Sequence, residues 1–167
     1  MAATIRGASA LAVVAALLTP IAMTNPFSAA EQERIISAIR LAEQNTSGEI
    51  RVHVEPHCPL PDPVQRAIEV FASLGMQETK QQNGVLFYLA YTDRKFAVLG
   101  DRGINNRVPA DFWESTKALM RPFFARQHYA DGLSQGIERA GEQLKQYFPY
   151  DGATDINELP DDISFSS

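Results

Sequence analysis

The amino-acid sequence predicts an α/β protein: a three-layer α/β/α sandwich with a mixed central sheet and helices on both faces. Segments of helical and strand period alternate in the order helix, strand, helix, strand, strand, helix, helix, the pattern that buries a sheet between helices. Residues 85–90 form an unbroken apolar run rich in β-formers, as in a strand covered on both faces. The length of 167 residues with 45% apolar side chains is enough for one domain with a real core and short ends.

The first helix, 29–44, opens with Ser28 and Glu31 spaced as a capping box, and Ile35, Ala38, Ile39 and Ala42 share one face. Asn45, Ser47 and Gly48 end it. Residues 49–55 then alternate strictly, with Ile50, Val52 and Val54 on one side and Glu49, Arg51, His53 and Glu55 on the other, which predicts a strand only partly covered on its second face. Asp62 before Pro63 is an N-cap with a favoured first-turn proline, and Val64, Ala67, Ile68, Phe71 and Leu74 hold the helical period up to Gly75. Asn83-Gly84 leads into the central strand. Thr92, Asp93 and Arg94 make a tight turn into an antiparallel strand at 95–99, broken by Gly100, Asp101 and Gly103. A helix over 111–120 is expected to kink or stop at Pro122, which has no N–H to donate. Leu133, Ile137, Ala140, Leu144 and Phe148 mark the last helix, stopped by Pro149, with Gly132, Gly136 and Gly141 implying close packing against the sheet.

Three regions follow: a signal-like segment at 1–25, a body at 27–150 and an acidic tail at 151–167. The first has one charge, Arg6, then an uncharged run over 8–18, then Thr19, Pro20 and small residues. This is the grammar of a secretory signal peptide. It predicts an extracytoplasmic protein, periplasmic or secreted, and confines membrane contact to that segment; the alternatives are an uncleaved anchor and a cytoplasmic protein with an extension. The tail holds Asp151, Asp155, Glu158, Asp161 and Asp162 and no base, so it accounts for the whole net charge of −5. Residues 1–150 therefore sum to zero and have no basic footprint for phosphates, which argues against nucleic acid as a partner. By composition the tail is solvated, although Ile156, Leu159, Ile163 and Phe165 imply that part of it docks.

Motifs for hydrolase elbows, phosphate loops, zinc proteases and dinucleotide sites are missing, and the single Cys58 forbids an internal disulfide. His53, His57 and Cys58 lie near the exit of the first strand, but no third orienting group accompanies them and they read as ordinary loop residues. The acids carry more. Two parallel strands start on one edge of the sheet and the third returns to it, which brings Glu49, Asn83 and Asp101 to one rim with Ser47 close by. Oxygen clusters of that kind suit Ca²⁺ or Mg²⁺. The bland alternative makes Glu49 and Asp101 strand-end charges paired with Arg51 or Arg102. The tail is no EF-hand, because Ala153 stands at a ligand position and no glycine occupies the sixth.

Thr46-Ser47-Gly48-Glu49-Ile50, Asn83-Gly84-Val85-Leu86, Asp93-Arg94, Gly100-Asp101-Arg102-Gly103-Ile104-Asn105 and Asn157-Glu158-Leu159-Pro160-Asp161 together resemble the TPM domain family, over residues 27–165. That family includes a thylakoid-lumen photosystem II repair protein, a nematode modulator of acetylcholine receptors and many bacterial proteins, and the chain looks most like the short single-domain bacterial branch. The resemblance implies a Rossmann-like sandwich, divalent-cation binding and, from the plant branch, acid phosphatase activity. The expectation is a non-enzymatic cation-binding module that engages a protein partner, with Glu49, Asn83 and Asp101 as ligands; the alternative is a metal-assisted acid phosphatase.

Overall fold

The computed structural model describes residues 25–152 and 157–167. The signal-like segment up to residue 24, and Ile156 of the tail, lie outside the described residues. Helix α1 (Ala29–Glu43) has the full capping box: the Ser28 side chain accepts from the Glu31 N–H, and the Glu31 carboxylate accepts from the Ser28 N–H. It is followed by β1 (Glu49–Glu55), α2 (Pro63–Ser73), β2 (Gly84–Ala90), β3 (Lys95–Gly100), a short α3 (Arg102–Asn105), α4 (Phe112–Ala125), α5 (Tyr129–Tyr147) and β4 (Ile163–Phe165), with a 3₁₀ turn at Met76–Glu78.

The sheet order is β3-β2-β1-β4. Strands β1 and β2 pair in parallel through the α2 crossover, β3 runs antiparallel to β2, and β4 is parallel to β1 over Val52–Val54. Two apolar clusters lie on the two faces. Ile50, Val52, Val54, Val85, Phe87 and Leu89 meet α1, α4 and α5 on one side; Leu86, Tyr88, Ala90 and Ala97 meet α2 and Leu159 on the other. This is the predicted α/β sandwich with helices on both faces of a mixed sheet.

Several details differ from the sequence reading. Pro122 lies inside α4, which runs on to Ala125; the proline removes one donor, but the last turn is held by Phe124, whose ring packs on Gly132 and edge-on to Phe96 at 4.8 Å. The predicted break after β3 contains α3, capped by the Asp101 carboxylate on the Arg102 N–H. Gly136 faces Met120 and Phe87, whereas Gly132 and Gly141 pack against α4 and α1, so only part of the glycine stripe serves the sheet. The tail contributes β4, burying Leu159 and Ile163 and leaving Phe165 exposed.

Strand β1 is buried along its whole length rather than partly covered. Towards its C-terminal end the polar face is tolerated because His53 and Glu55 find partners. Glu55 takes a bidentate pair from Arg66 at 2.8 and 2.9 Å and a hydrogen bond from the Tyr88 hydroxyl. His53 lies between Ser164 and Ser166, 2.9 and 3.0 Å from its two ring nitrogens. Burial works against the Glu55 carboxylate, but Arg66 and Tyr88 more than offset it and hold its pKa below the ordinary value.

Candidate functional site

The site lies where β1 lacks a partner strand. Strand β4 covers β1 only from Val52 onward, so the Ile50 N–H on that edge would be unpaired, and the Glu43 carboxylate at the end of α1 accepts it at 2.7 Å. The tail wraps over the same edge: the Glu158 N–H donates to Glu49 Oε1 at 2.7 Å, and Asn157 Nδ2 donates to Asp161 Oδ1 at 3.1 Å. Glu43, Glu49, Asn157 and Asp161, with Arg40 and Tyr150 on the rim, line an open cleft of about 540 Å³.

Two carboxyls in this cleft are strongly perturbed. Glu43 is pushed up to about 10, first by burial and then by a hydrogen bond shared with Asp161, with the charges of Glu49 and Asp161 adding to it. Glu49 is pushed up to about 7, again first by burial; the Glu158 N–H lowers it, and the Glu158 and Asp161 charges raise it. Like charges crowded in a partly dry site cannot all ionise without compensation. Glu49 is 3% exposed, and its Oε2 is buried without a hydrogen-bond partner. Among the described residues no three His, Cys, Asp or Glu side chains stand at ligand spacing around one point. The donors are of the hard-oxygen kind, and burial with the hydrogen bond to Asp161 favours the protonated form of Glu43.

The three residues singled out from strand polarity share the rim at the backbone level. The Glu49 N–H donates to Asn83 O at 3.3 Å and the Asp101 N–H to Gly84 O at 2.9 Å. Their side chains part company. Asn83 donates to Ser47 Oγ at 3.3 Å, Asp101 caps α3, and Glu49 reaches the tail; Asn83 Oδ1 and Asp101 Oδ2 are also buried and unpartnered. Two strand spacings separate β1 from β3, roughly 9–10 Å, so Glu49 meets Glu43 and Asp161 rather than Asp101. Neither Glu49 nor Asp101 is in a salt bridge among the described residues, so the pairing with Arg51 or Arg102 does not occur. His57 and Cys58 are loop residues: Asp93 accepts from the Cys58 N–H at 2.7 Å and bonds His57 Nδ1 at 2.9 Å.

Sequence reading missed Glu43, and it held Asp161 only as part of the acidic tail, apart from the rim residues. Glu43 does carry a signal, since it falls four residues after Ile39 and eight after Ile35, placing an acid on the buried stripe of α1.

A family model described as the TPM domain matches residues 22–143, most of the chain. The chain belongs to the TPM domain family. A similar solved structure is the NMR structure of the BA42 protein from the psychrophilic bacterium Bizionia argentinensis, 47% identical with a TM-score of 0.76, covering 83% of this chain and 94% of that one. Two further NMR structures share the fold. The N-terminal domain of a protein from P. gingivalis is 22% identical with a TM-score of 0.61, covering 75% of this chain and 80% of that one. The N-terminal domain of the cg2496 protein of Corynebacterium glutamicum is 12% identical with a TM-score of 0.57, covering 82% of this chain and 79% of that one. No curated protein matches the chain. Within this TPM domain, Glu43 and Glu49 fall inside the matched residues, whereas Asp161 and β4 fall beyond them. Among the described residues, no helix is long and apolar enough to cross a membrane.

Proposed function

We propose that the protein is a non-enzymatic module that binds a divalent cation, Ca²⁺ or Mg²⁺, and uses the ion to fix its C-terminal segment as part of a surface for a protein partner. Glu43, Glu49 and Asp161 supply the charge and the Asn157 amide a neutral oxygen. The observation that carries this reading is Glu49, a nearly inaccessible carboxyl with one oxygen unpartnered, facing two further acids in an open cleft. A hard cation replaces the protons that suppress the charge of these groups in its absence. The signal-like segment supports an extracytoplasmic module, where affinities of roughly 10⁻⁴–10⁻³ M are suited to Ca²⁺.

Binding to the folded state raises the melting temperature in a dose-dependent way. Added Ca²⁺ is therefore expected to stabilise the wild type, Glu49→Gln and Asp161→Asn to lose most of that gain, and Asp101→Asn to keep it. If Asp101→Asn or Asn83→Ala abolishes the gain while Asp161→Asn leaves it intact, the ion belongs between β1 and β3. If none of the four alters it, the cation reading fails. The second reading, a metal-assisted acid phosphatase, uses the ion to polarise a phosphoryl oxygen. No turnover of p-nitrophenyl phosphate is expected, and turnover lost in Asp161→Asn would replace the first reading by the second.

A further inference from the structure

At the opposite end of the sheet from the acidic cleft, the β2–β3 hairpin and the α4–α5 turn enclose a second pocket of about 300 Å³, lined by Leu89, Arg94, Phe96, Arg121, Phe124 and Tyr129. Its floor is aromatic. Phe96 meets Phe124 edge-on at 4.8 Å, and Phe124 meets Tyr129 at 6.0 Å. The Phe124 ring packs directly on the Gly132 backbone, where a Cβ would strike it. Its mouth carries two guanidiniums and no acid: Arg121 lies 6.0 Å above the Phe96 ring, and neither Arg94 nor Arg121 is in an ion pair among the described residues. Arg94 holds φ at +55° and Gln127, in the facing turn, holds +61°. Glycine or asparagine adopts that backbone at lower cost, so nothing in the hairpin turn itself calls for arginine at position 94. The volume is at the lower bound for small-molecule sites, roughly 300–1,000 Å³, which suits one aromatic or branched side chain rather than a fused-ring cofactor.

We propose that this pocket binds a hydrophobic carboxylate, its apolar group on the Phe96–Phe124–Tyr129 floor and its carboxylate between Arg94 and Arg121. Paired N–H donors in a planar fork match a carboxylate, and the aromatic floor contributes apolar contact. Such chemistry has two sources, a free aryl- or alkyl-carboxylic acid and the C-terminal residue of a peptide. The site is independent of the acidic cleft, so the test is run on the full chain in a chelator. NMR titration with 3-phenylpropionate is expected to give saturable shifts at Arg94, Phe96, Phe124 and Tyr129, with 3-phenylpropionamide binding at least tenfold more weakly. Arg94→Gly, which suits the turn, and Arg121→Gln on an exposed helix face are expected to fold as the wild type and to weaken the acid tenfold or more. A tetrapeptide ending in Phe that binds more tightly than 3-phenylpropionate, with loss on amidation, identifies a peptide terminus as the source; a free acid that binds while the peptide does not identifies a small molecule. Equal binding of acid and amide, unchanged binding in both arginine variants, or no saturation by 10 millimolar probe overturns the proposal.

Discussion

Raising the pH from 5 to 8 in a chelating buffer is expected to lower the melting temperature of this protein by roughly ten degrees, and saturating Ca²⁺ is expected to remove most of that loss. Glu43 and Glu49 have folded-state values of about 10 and about 7 against an ordinary 4.5. Between pH 4.5 and 7 these two sites hold more protons in the folded chain than in the unfolded one, so their contribution to stability falls as pH rises; His53, whose pKa burial holds down, works in the opposite direction and offsets part of the fall. Above pH 7 the loss attributable to Glu49 is complete, and that of Glu43 continues towards its own higher value. The positive charges that face this cleft are few: Arg40 lines it, and Arg51, itself held down by burial, interacts with Glu43 and Asp162. Glu43→Gln removes the cost of keeping this group protonated above its ordinary range, while leaving an oxygen to accept from Ile50. It is expected to raise the melting temperature at pH 8 without metal, to flatten the pH profile and to abolish the response to Ca²⁺. A profile that rises from pH 5 to 8 in wild type, measured by calorimetry, would contradict the assignment.

Ending the chain at Gly152 is expected to cost more than any single substitution in the cleft. The removed segment buries Leu159 and Ile163, worth roughly 1.5–3 kcal/mol each, and it strips β4 from β1 and both serines from His53. A fall of at least ten degrees is expected for a domain of this size, together with complete loss of Ca²⁺ stabilisation. Ile163→Ser within the full chain is the milder control: it weakens docking and leaves every carboxylate in place, so a graded loss of both stability and ion response is expected. A truncated chain that melts with the wild type would mean that the tail is not part of the fold in solution.

Much of the architecture is legible in the residues because it rests on local pattern. Ser28 and Glu31 announce α1, Asp62-Pro63 announces α2, and the alternation of Ile50, Val52 and Val54 gives β1. Strand polarity then brings the backbones of Glu49, Asn83 and Asp101 to one rim, as the register shows. What pattern does not supply is the direction of a side chain whose partners come from far along the chain. Glu49 turns to the tail because Glu158 offers it an N–H from 109 positions away. β4 is too short for any periodicity, and only Ile163 of its three residues is buried. The burial of both faces of β1 was equally hidden, since Arg66, Tyr88 and Ser164 are recognisable as partners of Glu55 and His53 only once they are neighbours. Pro122 shows the reverse case, where a strong local rule yields to packing by Phe124.

The parallel closure of β4 on β1 also bears on the order in which the molecule forms. Joining residues 52–54 to 163–165 encloses nearly the whole domain in one loop, and contacts of such separation are costly to establish until the intervening helices and strands have condensed. The acidic cleft is completed by that closure, so under the proposed function a partly assembled chain has no place for the ion. An ion that binds only the finished molecule acts after the main folding barrier: it lengthens the life of the native state by slowing its unfolding and leaves the rate of folding as it was.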